Sequence, residues 1–158
     1  MAKMRNLLAF DLGASNGRAI LGQFDGEKIT MTELHRFENN YVEMNGVFYW
    51  DTPYLYNNLK KGLQAFKQGG YGDLDSFGID TWGVDFGLID ERGELIANPV
   101  HYRDGRTLGI PEELAEQLSP SALYAATGTQ SMRINTVYQL AYLAKHRPEQ
   151  LARAKTLL

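Results

Sequence analysis

Residues 7–24 read LLAFDLGASNGRAILGQF, which is an apolar run, a short glycine-containing segment and a second apolar run. This pattern predicts a strand, a turn and a second strand. Gly13 and Gly17 let the backbone bend and approach a ligand closely, because neither has a Cβ atom. Such a turn can direct several main-chain N–H groups at one point, which suits a phosphate group. The alternative is an ordinary hairpin, because short glycine patterns often occur without ligands.

Two charged residues flank this turn. Asp11 ends the first strand and is placed to hold a hydrated Mg²⁺ ion, because Mg²⁺ prefers one or two carboxylates and keeps several waters. Arg18 offers a forked cation that suits phosphate oxygens. The turn is neither a Walker loop nor a dinucleotide fingerprint, because it lacks the Gly-Lys-Ser/Thr ending and a strand rather than a helix follows it.

The composition excludes several classes of function. The chain has 158 residues, which is a single-domain length, and its net charge of −3 favours neither nucleic acid nor acidic membranes as partners. It has no cysteine, which excludes thiol catalysis, zinc–thiolate sites and disulfides and agrees with a cytoplasmic location. No apolar run approaches the roughly 18 residues of a membrane span, and the first one is too short for a signal peptide.

The first half of the chain predicts strands, a hairpin and one long helix. The expected ranges are 5–11, 17–24 and 28–37 for three strands, 41–50 for a hairpin and 76–80 for a further strand. Asp25-Gly26 and Asn45-Gly46 are dipeptides typical of tight hairpin turns. Asp51 or Thr52 caps a helix that ends at Gly69-Gly70. The expected buried face of this helix is Leu55, Leu59, Leu63 and Phe66.

The second half predicts shorter elements. They are a strand over 86–89 that turns at Arg92-Gly93 into 94–97, and helices that begin near Pro111, Ser119-Pro120, Asn135 or Thr136, and Pro148. The third of these helices should bury Val137, Leu140, Leu143 and Ala144. Residues 155–158 look like the start of an unpaired strand, so we expect the N-terminal part of a longer protein. This order of elements favours an α/β fold with a mixed sheet and flanking helices.

Two further segments of the chain are rich in polar residues. Residues 80–85 read DTWGVD, and two carboxylates, a hydroxyl and an indole suit a sugar, whose hydroxyls donate to carboxylates and whose C–H faces stack on tryptophan. They follow a strand end, where α/β sheets usually bind ligands. Residues 101–107 read HYRDGRT and form a polar loop. The alternatives are that Trp82 is a core residue and that the charges of this loop form a solvated cluster.

Taken together, these segments resemble a known family. Residues 11–18, 50–51, 78–86, 102–107 and 135–140 are similar to carbohydrate kinases, the family of the glycerol, xylulose and fucose kinases, and within it to the kinases of L-rhamnulose. The resemblance runs through all 158 residues with little insertion. It implies a ribonuclease H-like fold of the actin and hexokinase type, in which two domains close around ATP and sugar.

The resemblance also implies roles for individual residues. The ATP phosphates would contact Ala14, Ser15, Asn16, Gly17 and Arg18, and Asp11 would lie near the metal. The sugar would contact the backbone of Gly83, with Trp82 and Asp85 nearby and with Asp104 and Arg106 shaping the pocket. Asn16 and Gly105 stand where serine is expected. Both Asn16 and serine form turns readily, so little change is expected there, whereas Gly105 weakens any role for its position.

The implied reaction transfers the γ-phosphoryl group of ATP, with Mg²⁺, to the 1-hydroxyl of L-rhamnulose. In the family the base is an aspartate in a later His-Asp-Thr segment, and this sequence has no such segment. The catalytic base is therefore expected beyond Leu158, together with the C-terminal ATP-binding domain, so that residues 1–158 are an incomplete N-terminal domain. Asp11 suits a metal better than the role of base, and Asp80 and Asp85 suit sugar binding or structure better.

Two other functions remain open. One is a kinase of the same family that acts on fuculose, xylulose or glycerol. The other is a nucleotide-binding switch of the actin or chaperone type, against which the DTWGVD and YRDGRT segments argue because a switch needs no sugar pocket. The oligomeric state is open, and an incomplete domain is expected to expose apolar surface through which it self-associates.

Overall fold

The computed structural model describes residues 3–158 and divides the chain into two compact units. The first unit combines the residues up to 40 with residues 51–83, and the second combines residues 41–50 with residues 84–158. Over residues 3–158, no helix is both long and apolar enough to cross a membrane.

The first unit is built on a four-stranded mixed sheet. Its strands are β1 (Arg5–Leu12), β2 (Asn16–Phe24), β3 (Ile29–Glu38) and, after the hairpin and the long helix, β6 (Ser76–Asp80). Their order is β3-β2-β1-β6, in which β1 pairs antiparallel with β2 and parallel with β6. All four predicted strands are confirmed to within one residue, and so is the mixed sheet.

Helix α1 (Thr52–Gln68) covers one face of this sheet. Asp51, and not Thr52, caps it by accepting a hydrogen bond from the amide of Tyr54 at 3.0 Å. The core consists of Leu8, Phe10, Ala19, Leu21 and Phe66. The prediction that Leu63 is buried is wrong, because the centre of the buried stripe passes through Asn58, Gly62 and Phe66 and Leu63 lies at its exposed margin.

Gly62 brings α1 against the sheet, and its replacement by alanine is expected to destabilise the first unit. A Cβ atom there would lie 2.6 Å from the ring of Phe10 and 2.7 Å from Ala19, both buried on neighbouring strands. Overpacking of this kind costs about 1–3 kcal/mol, which outweighs the gain of up to about 1 kcal/mol in helix propensity. Urea denaturation of the two proteins measures the difference, and equal or higher stability of Gly62→Ala would contradict this packing.

Two large apolar side chains of β6 are exposed in the first unit. Phe77 is 61% and Ile79 50% exposed, although the ring of Phe77 meets Phe10 edge to face. Strand β6 is also the last strand of the sheet, so one of its edges is unpaired within the described residues. This is apolar surface of the kind expected from the sequence, and the self-association expected through it stays a prediction.

The second unit contains two small sheets and several helices. A hairpin joins β4 (Val42–Met44) to β5 (Val47–Tyr49) through Asn45 and Gly46, both at positive φ, as the sequence predicts. Strand β7 (Leu88–Ile89) follows, and then come a 3₁₀ turn (Gly105–Thr107), α2 (Ile110–Ala115), α3 (Pro120–Thr127), α4 (Thr136–His146), α5 (Pro148–Arg153) and β8 (Thr156–Leu157). The four predicted helices are confirmed, including the positive φ of Gly128 that closes α3.

Three expectations for the second unit need correction. Residues 155–158 are not unpaired, because β8 pairs antiparallel with β7 and Gly87 exchanges two main-chain hydrogen bonds with Leu158. Residues 94–97 make only a single bridge, between Leu95 and Ile89. On α4, Ala144 is exposed, whereas Tyr138 and Gln139 are buried beside Leu143, because the buried face of the helix is rotated from the predicted one.

Candidate functional site

The turn between β1 and β2 is held from outside by Asn39. Within the turn, the amide of Gly13 donates to the carbonyl of Asn16 at 3.0 Å. Asn39, which is 2% exposed, donates from its side chain to the carbonyl of Gly13 at 2.7 Å and from its main chain to the carbonyl of Ser15 at 3.0 Å. The carbonyls of Gly13, Ser15 and Asn16 thus accept hydrogen bonds that hold the turn within the first unit.

The same turn leaves donors exposed. Ala14, Ser15 and Asn16 are exposed, and the main-chain N–H groups of Ala14 and Ser15 donate to no acceptor among residues 3–158. Gly17 is buried, and a Cβ atom there would lie 2.1 Å from the ring of Phe37. The close approach at Gly17 is therefore to a side chain of the protein. The exposed donors lie at residues 14 and 15.

A row of charged groups crosses the sheet face at this end of the first unit. Arg18 Nη2 donates to Asp11 Oδ2, and both side chains are 37% exposed. The Nε atom of Arg18 is buried and has no hydrogen-bond partner within the described residues. Arg36 Nη1 donates to Asn16 Oδ1 at 3.0 Å, so Asn16 is bound to its own sheet. Arg18 is thus directed at the carboxylate of Asp11.

The donor set beside Asp11 fits a hydrated Mg²⁺ ion. Asp80 is the register partner of Asp11 on the parallel strands β1 and β6, so both carboxylates lie on the same face of the sheet. No group of three or more metal-ligating side chains exists within residues 3–158. Mg²⁺ needs only one or two carboxylates and keeps waters elsewhere, so two neighbouring aspartates suffice.

The predicted sugar segment is divided between the two units. In the first unit, Trp82 is half-buried and Gly83 is exposed. A Cβ atom on Gly83 would meet nothing within 4 Å, and its φ is not in the left-handed region. Neither packing nor backbone conformation therefore requires glycine at this position. The open space beside its backbone leaves room for a ligand.

In the second unit, Asp85 joins three segments of the chain. Its Oδ2 accepts from the indole of Trp50 at 2.6 Å and from the amide of Tyr102 at 3.1 Å. Its Oδ1 accepts from Gln139 Nε2 at 3.0 Å. Both carboxylate oxygens are therefore engaged by protein donors, and Asp85 is a brace for the residues around it.

Asp104 is a second carboxylate that is engaged within the protein. It is 4% exposed, and its Oδ1 accepts from the amide of Arg106 at 2.8 Å, which caps the 3₁₀ turn. Its Oδ2 accepts from the amide of Phe48 on β5 at 3.0 Å. Asp104 can shape a pocket by fixing the loop and the hairpin, since both of its oxygens are engaged by main-chain amides.

Arg106 lines a cavity of about 110 Å³ inside the second unit. The other polar side chains at its wall include Asp104, Tyr142 and Arg147. Arg106 Nη2 donates to Gln139 Oε1, and burial lowers the pKa of its guanidinium while the carboxylates of Asp104 and Asp85 oppose this shift. Arg106 is thus a partly desolvated cation beside two carboxylates.

His101 is expected to make the stability of the second unit depend on pH. It is 2% exposed, its ring lies 4.1 Å from Trp50 and 4.5 Å from Tyr102, and burial lowers its pKa from 6.5. The unfolded chain binds the proton of His101 more tightly than the folded chain does. The stability that comes from burying the neutral ring is therefore complete above about pH 6.5 and is lost as the pH falls through the folded-state pKa. Melting temperatures between about pH 7.5 and about pH 5.5 measure it.

The control for this prediction is a pair of variants. His101→Gln should lose part of the pH dependence, whereas His146→Gln, at the exposed end of α4, should keep the slope of the parent. Equal slopes for the parent and His101→Gln would show that the burial of His101 does not govern stability.

Two residues of these sites were missed from the sequence, Asn39 and Gln139. Asn39 braces the turn, and Gln139 contacts Asp85 and Arg106. The available signal for Gln139 was a polar residue between apolar ones on a helix, but polar helix residues usually face solvent. Asn39 carried no signal, because an asparagine after a strand is typical of loops.

The chain is similar to known proteins over nearly its whole length. Residues 6–158 match the N-terminal domain of the FGGY family of carbohydrate kinases. A rhamnulokinase from Halalkalibacterium halodurans is 45% identical over 155 residues, which cover 98% of this chain and 33% of that protein. A rhamnulokinase from Mannheimia succiniciproducens is 41% identical over 152 residues, covering 95% of this chain and 31% of that protein. The chain spans about a third of the length of these relatives.

Solved structures share the fold at low identity. A gluconate kinase from Lactobacillus acidophilus superposes with a TM-score of 0.83 at 13% identity, over 99% of this chain and 31% of that one. A xylulose kinase from Rhodospirillum rubrum has a TM-score of 0.81 at 18% identity, over 97% of this chain and 32% of that one. The expected fold of the actin and hexokinase type is confirmed. The chain belongs to the FGGY family of carbohydrate kinases, whose N-terminal domain residues 6–158 match.

Proposed function

We propose that this chain is part of an ATP-dependent kinase that phosphorylates L-rhamnulose at its 1-hydroxyl. The observation that carries the proposal is the 45% identity, over 98% of the chain, to a protein named rhamnulokinase. The DTWGVD segment over 80–85 supports the same sugar. We also propose a cytoplasmic location, as expected from the sequence, because the reaction consumes ATP and the cytoplasm supplies ATP.

The turn after β1 and the start of β2, residues 14–18, are proposed to hold the phosphates of ATP. The amides of Ala14 and Ser15 are exposed donors, and a turn with converging N–H groups attracts anions. Arg18 adds a guanidinium that can exchange its contact with Asp11 for phosphate oxygens. Asp11, with Asp80, would hold Mg²⁺, which when bound neutralises phosphate charge.

The sugar is proposed to meet the backbone at Gly83. The open space beside this glycine admits a hydroxyl group close to the main chain, and Trp82 offers an aromatic face. Asp85, Asp104 and Arg106 are proposed to act on the sugar through the loops that they hold. These three side chains thus stay part of the proposed substrate site, with an indirect role in binding the sugar.

The isolated 158-residue chain is expected not to release ADP from ATP, with or without L-rhamnulose. The proposal places the catalytic aspartate and the adenine-binding domain in a C-terminal part beyond Leu158, so the chain has no base for the sugar hydroxyl. A coupled assay of ADP release at high protein concentration measures this. Rhamnulose-dependent turnover by the isolated chain would contradict the assignment of the base.

The test of the substrate uses the longer protein of which we propose this chain is a part. ADP release is measured with L-rhamnulose, L-fuculose, D-xylulose and glycerol, and the phosphorylated carbon of the product is identified by NMR. The proposal expects the highest kcat/KM for L-rhamnulose and a 1-phosphate product. A higher value for another sugar would keep the kinase and overturn the substrate.

A further inference from the structure

Gln139 is a buried amide on α4 that lies within hydrogen-bond distance of four groups. It is 1% exposed, and its Nε2 lies 3.1 Å from the carbonyl of Val84, 3.0 Å from Asp85 Oδ1 and 2.9 Å from the carbonyl of Ile134. Its Oε1 accepts from Arg106 Nη2. Both ends of the amide are engaged, so the side chain has one orientation.

These contacts converge on the segments proposed to form the sugar site. Val84 follows Gly83 directly, Asp85 ends the DTWGVD segment, and Arg106 lies in the HYRDGRT loop. Thr136, one turn earlier on α4, also donates to the carbonyl of Val84 at 2.7 Å. Helix α4 therefore fixes the main chain at residue 84 through Thr136 and Gln139. Gln139 also forms hydrogen bonds with Asp85 and Arg106.

A neutral amide offers both the donors and the acceptor that these neighbours need, and its two N–H groups are shared among the three acceptors. Asp85 and the carbonyls of Val84 and Ile134 require a donor, whereas the guanidinium of Arg106 requires an acceptor. A glutamate would place a second carboxylate against Asp85, and a methionine would leave buried polar groups unpaired. This set of contacts thus depends on the amide group of Gln139.

We propose that Gln139 is a positioning residue for sugar binding, which sets the sugar loops through Val84, Asp85 and Arg106 without touching the sugar. This inference rests on the proposed function. Because Gln139 contacts residues of the sugar segments, its substitution is expected to affect binding of the sugar and not binding of ATP. Its substitution should raise the KM for the sugar and leave the KM for ATP unchanged.

The test compares Gln139→Glu and Gln139→Met in the longer protein with Gln64→Glu, the same change on the exposed side of α1. Both Gln139 variants should raise the KM for L-rhamnulose by about tenfold to a hundredfold, the range expected for a misplaced binding group. The control should match the parent. An unchanged sugar KM in folded Gln139 variants, or an equal rise in the KM for ATP, would overturn the proposal.

A pH profile separates positioning from general loss of structure. A protonated glutamate can donate to Asp85 and accept from Arg106. Burial and the carboxylate of Asp85 raise the pKa of this glutamate, and the guanidinium of Arg106 opposes them. The kcat/KM of Gln139→Glu relative to the parent should therefore recover as the pH falls from about 8 to about 6, whereas that of Gln139→Met should not. Parallel profiles of the two variants would contradict the role of the amide.

A spectroscopic measurement is independent of activity. In the longer protein labelled with ¹⁵N-tryptophan, the indole N–H resonance of Trp50, assigned with Trp50→Phe, reports the hydrogen bond to Asp85. Gln139→Met should shift this resonance, and Gln64→Glu should not. If the parent shows no sugar-dependent turnover, the proposed function fails while this shift still tests the Gln139 contacts. An unshifted resonance would overturn the inference even in an active kinase.

Discussion

Asp11→Asn is expected to lower the kcat of the longer protein by about a hundredfold or more. Asparagine keeps the shape of Asp11 but removes the charge that faces Arg18 and that lies beside Asp80 on the sheet. Loss of one preorganised electrostatic group, such as an oxyanion-hole donor, costs on the order of 10²–10³ in kcat, and we expect a similar loss here. Steady-state kinetics measure kcat, and titration with Mg²⁺ should show a higher concentration at half-maximal rate.

Asp25→Asn is the matched control for this variant. Asp25 lies in the exposed turn between β2 and β3, where its Oδ1 accepts from the amides of Glu27 and Lys28, and asparagine keeps that acceptor. Its kinetics should equal those of the parent. If Asp11→Asn kept the kcat and the Mg²⁺ dependence of the parent, Asp11 would be a structural partner of Arg18 and nothing more.

Asp85→Ala is expected to destabilise the second unit by about 3 kcal/mol. It would leave the indole of Trp50 and the amide of Tyr102 without their acceptor, and it would remove one of the three acceptors that the two N–H groups of Gln139 share. Each unsatisfied buried donor costs about 1–3 kcal/mol, and the half-buried position of Asp85 lets water reach part of the group. Urea denaturation of the 158-residue chain, followed by tryptophan fluorescence, measures the loss.

Two companion variants interpret this loss. Asp85→Asn keeps one acceptor and should lose less stability than Asp85→Ala. Asp73→Ala removes an exposed aspartate of the first unit and should change stability by less than about 0.5 kcal/mol. A change of that small size for Asp85→Ala would mean that the donors to Asp85 find other partners, and Asp85 would then be free to bind sugar directly.

The strands and most helix ends were predictable because their signals are local. Alternating apolar residues, the dipeptides Asp25-Gly26 and Asn45-Gly46, and prolines at helix starts act within a few residues. The errors came from contacts between distant segments. Strand β8 is paired with β7, and Leu63 is exposed because the face of α1 is set by how closely Gly62 approaches Phe10. No local pattern carries such information.

In the candidate site too, the local features were predictable and the contacts between distant segments were not. The turn over 13–16 and the DTWGVD segment could be identified as polar groups at strand ends. What braces them could not, because Asn39 lies 26 residues from Gly13, and Gln139 lies 54 residues from Asp85. For the same reason the sequence could place Asp85 near the sugar and Asp104 at the pocket, but it could not show that protein donors engage both carboxylates. Their role in binding sugar remains a proposal.

The central claim is that the phosphate turn and the sugar segments belong to one sugar-dependent ATP reaction. The most direct measurement is the rate of ADP release by the longer protein, with ATP and Mg²⁺, as L-rhamnulose is added from zero to saturation. We expect a rate near background without sugar and a saturable rise with L-rhamnulose. ATP hydrolysis at the same rate with and without any sugar would contradict it and would favour a nucleotide-binding switch.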